Sequence, residues 1–313
     1  MTRLNCPLLR LGQALHARAY RFTSVTPLTQ QRVNARPENA WASDLAGVFG
    51  WSRPFWPETV GEELFGLMDS AGVLLESPEG GWLSAVRWSS LGDELFVHSR
   101  YPTLEPDAVF FGPDTYRYAQ AIEQLLQRRP ADTLHRALDI GCGAGPGAAR
   151  VALSCPNAEV LAADINPLAL EYTEVNARLA GIGNLRPQRS DLLSGVGGQF
   201  DLIVSNPPYM LDPHGRVYRD GGGELGAGLS LAIIDESLPR LVQGGSLLLY
   251  TGVAMVGGRD PLLEYCKATL ADQDFTWHYR EMDPDVFGEQ LLEPGYEAVE
   301  RIAAVVLTVT RVG

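Results

Sequence analysis

Positive charge is scarce in this chain, and lysine is nearly missing: among 313 residues Lys267 stands alone beside 24 arginines. The formal net charge is −13, which works against gripping the phosphate backbone of a nucleic acid over a broad face, since that grip is made of cations. The arginine bias reflects genome composition more than phosphate recognition. Cysteine is also scarce. Cys6, Cys142, Cys155 and Cys266 are scattered, with no pair at zinc-ligand or redox spacing, so free thiols in a reducing compartment, the cytoplasm, are expected. No apolar run approaches the ~20 residues that cross a bilayer. No internal repeat or long low-complexity tract is found. His16, His98, His135, His214 and His278 do not cluster with carboxylates at metal-ligand spacing, so no metal centre is expected; His214 is the one placed to face a substrate.

What is present suits a protein with a real core: 45% hydrophobic and 20% charged residues, with length for two domains. Residues 1–37 hold six arginines and no acid. The stretch "LLRLGQALHARAYRF" has apolar residues at helical spacing, which favours a first core helix over an organelle transit peptide. Of the six tryptophans only Trp277 lies beyond residue 115. "PETVGEELFGLMDSAGVLLE" (57–76) reads as a helix with a stop at Gly72. "GGWLSAVRWSSLGDELFVHS" (80–99) alternates and turns at Leu91-Gly92-Asp93, a hairpin signal. Helix then hairpin suggests a winged-helix-like module; its acidity favours packing or substrate positioning over reading DNA. Residues 1–108 are therefore read as an α+β, substrate-positioning domain.

In "VFFGPDTYRYAQAIEQLLQRR" (109–129) a turn leads into a helix that Asp114 or Thr115 can cap. From residue 134 strands and helices alternate: "HRALDIG", "GPGAARVALSC", "AEVLAADI", "NPLALEYTEVNARLAG", "NLRPQRSDLL", "QFDLIVSN", then a helix "LSLAIIDESLPRLVQGG" and a strand "SLLLYTGV". A helix over "PLLEYCKATLADQ" and two closing strands follow. The expected fold class for 109–313 is α/β: a Rossmann-like, seven-stranded sheet, mostly parallel, with a C-terminal antiparallel hairpin.

The chemistry lies at the strand ends. The first strand runs into "LDIGCGAGPG", with Asp139, Gly141, Cys142, Gly143 and Gly145. Glycines between strand and helix let the backbone turn and let a ligand approach. Asp164 follows 19 residues beyond Gly145, the spacing of an acid that accepts from ribose hydroxyls. Asp191, at the third strand end, is placed to accept from an adenine amino group. The glycine spacing departs from the pyrophosphate pattern, and Asp139 would repel phosphate. A cationic nucleoside such as S-adenosyl-L-methionine fits both facts. The fourth strand ends in "SNPPY", where two rigid prolines fix an amide, two carbonyls and an aromatic ring.

These motifs, "LDIGCGAG", "ADIN", "SDLL" and "SNPPY", occur in the order and spacing of the class I methyltransferases, which residues 109–313 resemble. The resemblance implies that the Asp139–Gly145 loop holds the methionine part, that Asp164 takes the ribose, and that Asp191 with Leu192 borders the adenine. Thr115, Asp139, Gly141, Cys142, Gly143, Gly145, Asp164, Ile165, Asn166, Asp191, Leu192 and Asn206 are thus expected at the cofactor, and Asn206, Pro207, Pro208 and Tyr209 at the acceptor. "NPPY" resembles the signature of enzymes that methylate planar nitrogens. Asn206 Oδ1 and the Pro207 carbonyl would accept the acceptor's N–H groups, and Tyr209 would stack on the flat group. Tyr218-Arg219 and Gly228-Leu229 resemble release-factor and ribosomal-protein glutamine methyltransferases, while "GPDT" (112–115) and "DGGG" (220–223) depart from them. The glycine run 221–228 reads equally as a flap or a surface loop.

Three functions stand open on the sequence. A protein glutamine amide, in a translation factor or ribosomal protein, is the favoured acceptor, with an acidic surface suited to a basic partner. A nucleic-acid base flipped into the pocket is the second. A small molecule, enclosed by the Trp-rich domain, is the third.

Overall fold

The computed structural model describes residues 6–129, 133–212, 216–271 and 274–312. The basic start folds as helix α1 (Pro7–Ala17), opened by proline and burying Leu8, Leu9, Leu11 and Leu15 along one stripe. Helix α2 (Pro27–Asn34) is capped by Thr26 and α3 (Leu45–Phe49) by Asp44, whose side chains accept from the Thr29 and Gly47 amides. Helix α4 (Pro57–Ser70) ends just before Gly72, as expected, but is broken near its start by Gly61 at φ +79°. Beyond the Gly72 stop, strand β1 (Leu74–Glu76) pairs antiparallel with β2 (Trp82–Ser84).

Strands β3 (Val86–Leu91) and β4 (Glu94–Ser99) form the expected hairpin around Gly92-Asp93. The alternation suggests one wet face, yet both faces of β3 are buried. Trp88, fully buried, packs where a Cβ on Gly12 of α1 would lie 2.6 Å from its ring. On the opposite face the polar residues bond to one another. Arg87 Nε donates to the Gly50 carbonyl (2.9 Å), and Ser89 Oγ lies 2.8 Å from both Ser24 Oγ and His98 Nε2. Buried polar groups are tolerated when so satisfied.

Next come α5 (Pro113–Leu126), β5 (Arg136–Ile140), α6 (Pro146–Ser154), β6 (Glu159–Asp164), α7 (Pro167–Leu179), β7 (Leu185–Arg189), β8 (Phe200–Ser205), α8 (Gly228–Ser237), β9 (Leu241–Val256), α9 (Pro261–Thr269), β10 (Phe275–Asp283) and β11 (Val299–Arg311). They build a seven-stranded sheet in the order β10-β11-β9-β8-β5-β6-β7. The pairs among β9, β8, β5, β6 and β7 are parallel, and β11 is antiparallel to both β9 and β10. This is the expected α/β class. Pro187 fits in β7 because an end strand can spare an amide. The helix expected to run through Gly245 stops at Ser237. A short 3-10 turn, Leu238–Arg240, follows, since Pro239 offers no amide to continue the helix, and β9 begins at Leu241.

Side-chain alternation divides the sheet's packing into two cores. Leu138, Ile140, Ile203 and Leu247 face α8 and α9. Ala137, Val160, Val204 and Tyr250 face the other way, in a cluster that runs without a break through α5, α6 and α7 to α1 and Trp88. Asn176 of α7 fastens the two parts: its amide oxygen accepts from the Val97 amide (2.8 Å), and its nitrogen donates to the carbonyls of Val97 (3.2 Å) and Ala144 (2.9 Å). Among the described residues no helix is long and apolar enough to cross a membrane.

Candidate active site

Strand order reverses at β5, with β6 on one side and β8 on the other. Ligands of open α/β sheets bind in the crevice beyond the carboxyl ends of such strands. A cavity of about 350 Å³ lies there, reached by all four expected strand-end motifs.

The glycine turn after β5 has two kinds of glycine. Gly141 (φ +67°) and Gly143 (φ +55°) line the cavity, and a Cβ on Gly141 would meet no protein atom, so the space beside it is open to a ligand. Gly145 (φ +79°) is instead needed for helix packing, because a Cβ there would lie 2.8 Å from Thr173. Asp139 does not reach the cavity either. Its buried carboxylate accepts from the Tyr118 hydroxyl and the Ala148 amide, both at 2.8 Å. Burial outweighs these bonds and pushes its pKa up to about 7. Asp139 therefore braces Tyr118, which does line the cavity, and the first turn of α6. Direct contact with a cation is not its place. Cys142 lines the wall but is packed inward, its thiol 3.6 Å from Thr173 Oγ1 and its pKa held well above the ordinary range by burial.

Asp164 lines the cavity at the end of β6 and accepts from the amides of Gly143 and Asn166, both at 2.9 Å. Burial raises its pKa. Beside it Ile165 is 45% exposed, an apolar platform on the cavity wall. Asn166 is committed to structure: its oxygen caps α7 at Leu168 (2.9 Å) and its nitrogen donates to the Asp107 carbonyl (2.7 Å). Asp191 is exposed at the rim, next to Leu192 in the left-handed region (φ +46°). Thr115 accepts from the Gly112 amide (3.2 Å) and so secures the first turn of α5, whose cap position is Gly112.

At the end of β8 the Ser205 hydroxyl donates to the Ile140 carbonyl (2.7 Å), tying the two central strand tips together. Asn206 follows, half-buried on the cavity wall. Among the described residues its side-chain amide has no hydrogen-bond partner, and no backbone amide donates to the Pro207 carbonyl. Both acceptors are available to a ligand. Tyr209 lines the cavity as expected of its place in the motif, but it is also held from behind. It is 8% exposed, and its hydroxyl donates to Asp114, a residue expected to cap a helix. Asp114 also accepts from the Tyr250 hydroxyl (2.7 Å) and from Arg117 (3.1 Å), which reaches Asp283 (2.7 Å). The tyrosine ring lies over Gly252, where a Cβ would stand 2.2 Å from it, and meets Phe287 edge-on at 6.2 Å. Such a ring is an anchor more than a free stacking plate.

The glycine run is packed against this corner. A Cβ on Gly221 would lie 2.0 Å from the Gly226 carbonyl and 2.8 Å from that of Pro208, and one on Gly226 would lie 2.4 Å from the Tyr209 carbonyl. The Gly221 amide donates to the Met210 carbonyl (2.8 Å). It is thus a buttress, not a loose flap. The outer wall joins Phe110 and Tyr218, stacked at 6.0 Å, and the Tyr218 hydroxyl donates to the Thr103 carbonyl (2.8 Å). Arg216 and Arg219, the arginines of this wall, are drawn to Asp212, and Arg216 holds its pKa down to about 2. Asp164, Asp191 and Asp114 line the cavity without any cation at the glycine turn. A cationic nucleoside fits this donor set, and a diphosphate does not. His214 lies outside the described residues.

Residues 117–254 match the family described as methyltransferase small domain. The fold around that match is the α/β, Rossmann-like seven-stranded sheet described above. Among curated proteins this chain is similar to the release factor glutamine methyltransferase of Deinococcus radiodurans, 39% identical over 124 residues, which cover 36% of this chain and 44% of that protein. The enzyme of the same name from Bordetella pertussis is 35% identical over 178 residues, 52% of this chain and 63% of that protein. That from Escherichia coli is 37% identical over 142 residues, 42% and 51% respectively. The matched part thus spans about half the length of these relatives. The family match, residues 117–254, contains the cavity's glycine turn together with Asp164, Asp191 and Asn206.

Proposed function

We propose that this protein is an S-adenosyl-L-methionine-dependent N-methyltransferase whose acceptor is a glutamine side-chain amide of a protein, in the class of translation release factors. The observation that carries the reading is the Asn206 amide, half-buried and without a partner among the described residues, beside the Pro207 carbonyl on the wall of the cavity that the glycine turn opens. A planar amide nitrogen is a poor nucleophile because its lone pair is delocalised. Two acceptors that take its N–H groups turn the lone pair toward the donor and stabilise positive charge as it builds on nitrogen. When bound, the sulfonium cofactor supplies the electrophilic methyl group. Gly141 and Gly143 would admit its amino-acid part, Asp164 would accept from its ribose, and Ile165, Asp191 and Leu192 would border its adenine.

Residues 1–108 form the acceptor-positioning part in this reading and residues 109–313 the catalytic part. Pro27 and Tyr101–Leu104 of the former already stand in the cavity wall. Two of the arginines in the basic start are paired, Arg18 with Glu63 (2.6 Å) and Arg21 with Asp93 (2.7 Å), which weakens the case for a nucleic-acid groove. Labelled methyl transfer to a purified bacterial release factor, followed by nuclease and protease digestion, tests the proposal. Label should survive nuclease, yield to protease and be found on glutamine nitrogen. Label confined to RNA or DNA, with steep salt dependence of binding, would overturn it.

Asp164→Ala should weaken S-adenosylmethionine binding by about 10- to 100-fold, the worth of hydrogen bonds to a charged group. Calorimetry giving wild-type affinity would remove Asp164 from the ribose.

A further inference from the structure

The Tyr209 ring is seated by residues from two separate elements, α5 and β9. The first turn of α5 brings Asp114, which is 3% exposed, to the tyrosine hydroxyl. Tyr250 and Gly252 stand two apart on β9 and so project to the same face. One donates to the same carboxylate (2.7 Å), and the other leaves the gap the ring fills, since any Cβ at Gly252 would overlap it at 2.2 Å. Arg117 adds a third donor at 3.1 Å and is itself held by Asp283. Two prolines of fixed φ separate this anchored residue from Asn206. A rotation of the tyrosine therefore carries the corner with it.

On the reading of the site given above, we propose that Asp114 and Gly252 are positioning residues for methyl transfer: they seat the Tyr209 ring, and the seated ring aims the Asn206 amide and the Pro207 carbonyl at the acceptor nitrogen. Neither residue needs to touch the acceptor.

The test is a double-mutant cycle in the full chain with Asp114→Asn, Tyr209→Phe and both together. It is assayed with labelled S-adenosylmethionine and purified release factor, with melting temperature as a check on folding. Each single change should lower kcat by about 10- to 100-fold, the loss of a hydrogen bond to a charged group, and leave the calorimetric affinity for S-adenosylmethionine within about 3-fold, a change too small to reflect a lost contact. The double variant should be no slower than the worse single variant by more than about 3-fold, because residues acting through one another are not additive. Hydrogen exchange of the Met210 and Gly221 amides, which bond to the Arg219 and Met210 carbonyls beside the corner, should quicken by about 10-fold in Asp114→Asn, as in a locally loosened segment. Gly252→Ala should reproduce the kcat loss. Multiplying losses in the double variant, or unchanged kcat and exchange in a folded Asp114→Asn, would overturn the proposal. If Asp114→Asn does not fold, Tyr250→Phe takes its place in the cycle, removing one hydroxyl from the same carboxylate. Failure of the wild-type protein to label release factor would refute the acceptor instead, while the exchange rates would still decide whether Asp114 seats the corner.

Discussion

Asn206→Ala is expected to bind S-adenosylmethionine as the wild type does and to turn over at least two orders of magnitude more slowly. The side chain is half-buried, lines the cavity and bonds to no described residue. Its removal therefore breaks nothing in the fold. On the proposed function, what it removes is one preorganised group aimed at charge that develops only in the transition state, and such a group is worth about 3–4 kcal/mol, or 10² to 10³ in kcat. The Pro207 carbonyl remains, so some rate should survive. Single-turnover transfer with saturating cofactor measures the loss directly, alongside calorimetry for the cofactor. Unaltered turnover would exclude Asn206 from the reaction; a parallel collapse of cofactor affinity would move it into the cofactor's site.

The second large effect is on stability. Trp88 is fully buried between α1 and α7, in a space so close that a Cβ on Gly12 would lie 2.6 Å from its ring and 2.9 Å from Leu179. Among the described residues its indole N–H has no hydrogen-bond partner. The side chain thus contributes through apolar burial and contact alone. Trp88→Ala should cost about 3–5 kcal/mol, the usual price of emptying a large aromatic site in a core. The melting temperature should drop by on the order of 10 °C, and Trp88→Phe should recover part of it. Tyr20, whose hydroxyl donates to the Trp88 carbonyl (3.0 Å), would keep that bond, since it is to the backbone. A variant melting within about 2 °C of the wild type, well below the shift such a cavity produces, would mean that the front hairpin is not part of the cooperative core.

What the sequence disclosed and what it concealed divide by distance along the chain. The glycine turn, Asp164, Asp191 and the proline corner each end a strand, and their spacing is local. A pattern of apolar runs and turn residues suffices to place them on one edge of a parallel sheet. The partners of Tyr209 are remote: Asp114 lies 95 residues before it, and Tyr250 lies 136 residues after Asp114. No periodicity joins them until the sheet closes. Asp114 looked like a helix cap because an acid in a first turn usually is one, and only the approach of Tyr209 and Tyr250 in the fold gives it another use. Asp139 was expected at the ligand because it opens the loop; alternation along β5 turns it instead into the layer beneath. Gly252 carried no signal at all, being one small residue in an apolar strand, and the run 221–228 advertised freedom where the folded chain uses closeness. The hairpin of 80–99 turns where Gly92-Asp93 signalled it, and hydrogen bonds among Arg87, Ser24, Ser89 and His98 let its alternating polar residues be buried, which the alternation alone does not tell.

The single side chain of Asn176 has a mechanical consequence. It grips both backbone groups of Val97 and, with the same nitrogen, the Ala144 carbonyl in the glycine turn. The front hairpin and the glycine turn are therefore joined through one amide as well as through the apolar cluster. Loss of that amide would free both Val97 backbone groups and the Ala144 carbonyl at once, so the buried hairpin and the glycine turn would loosen together.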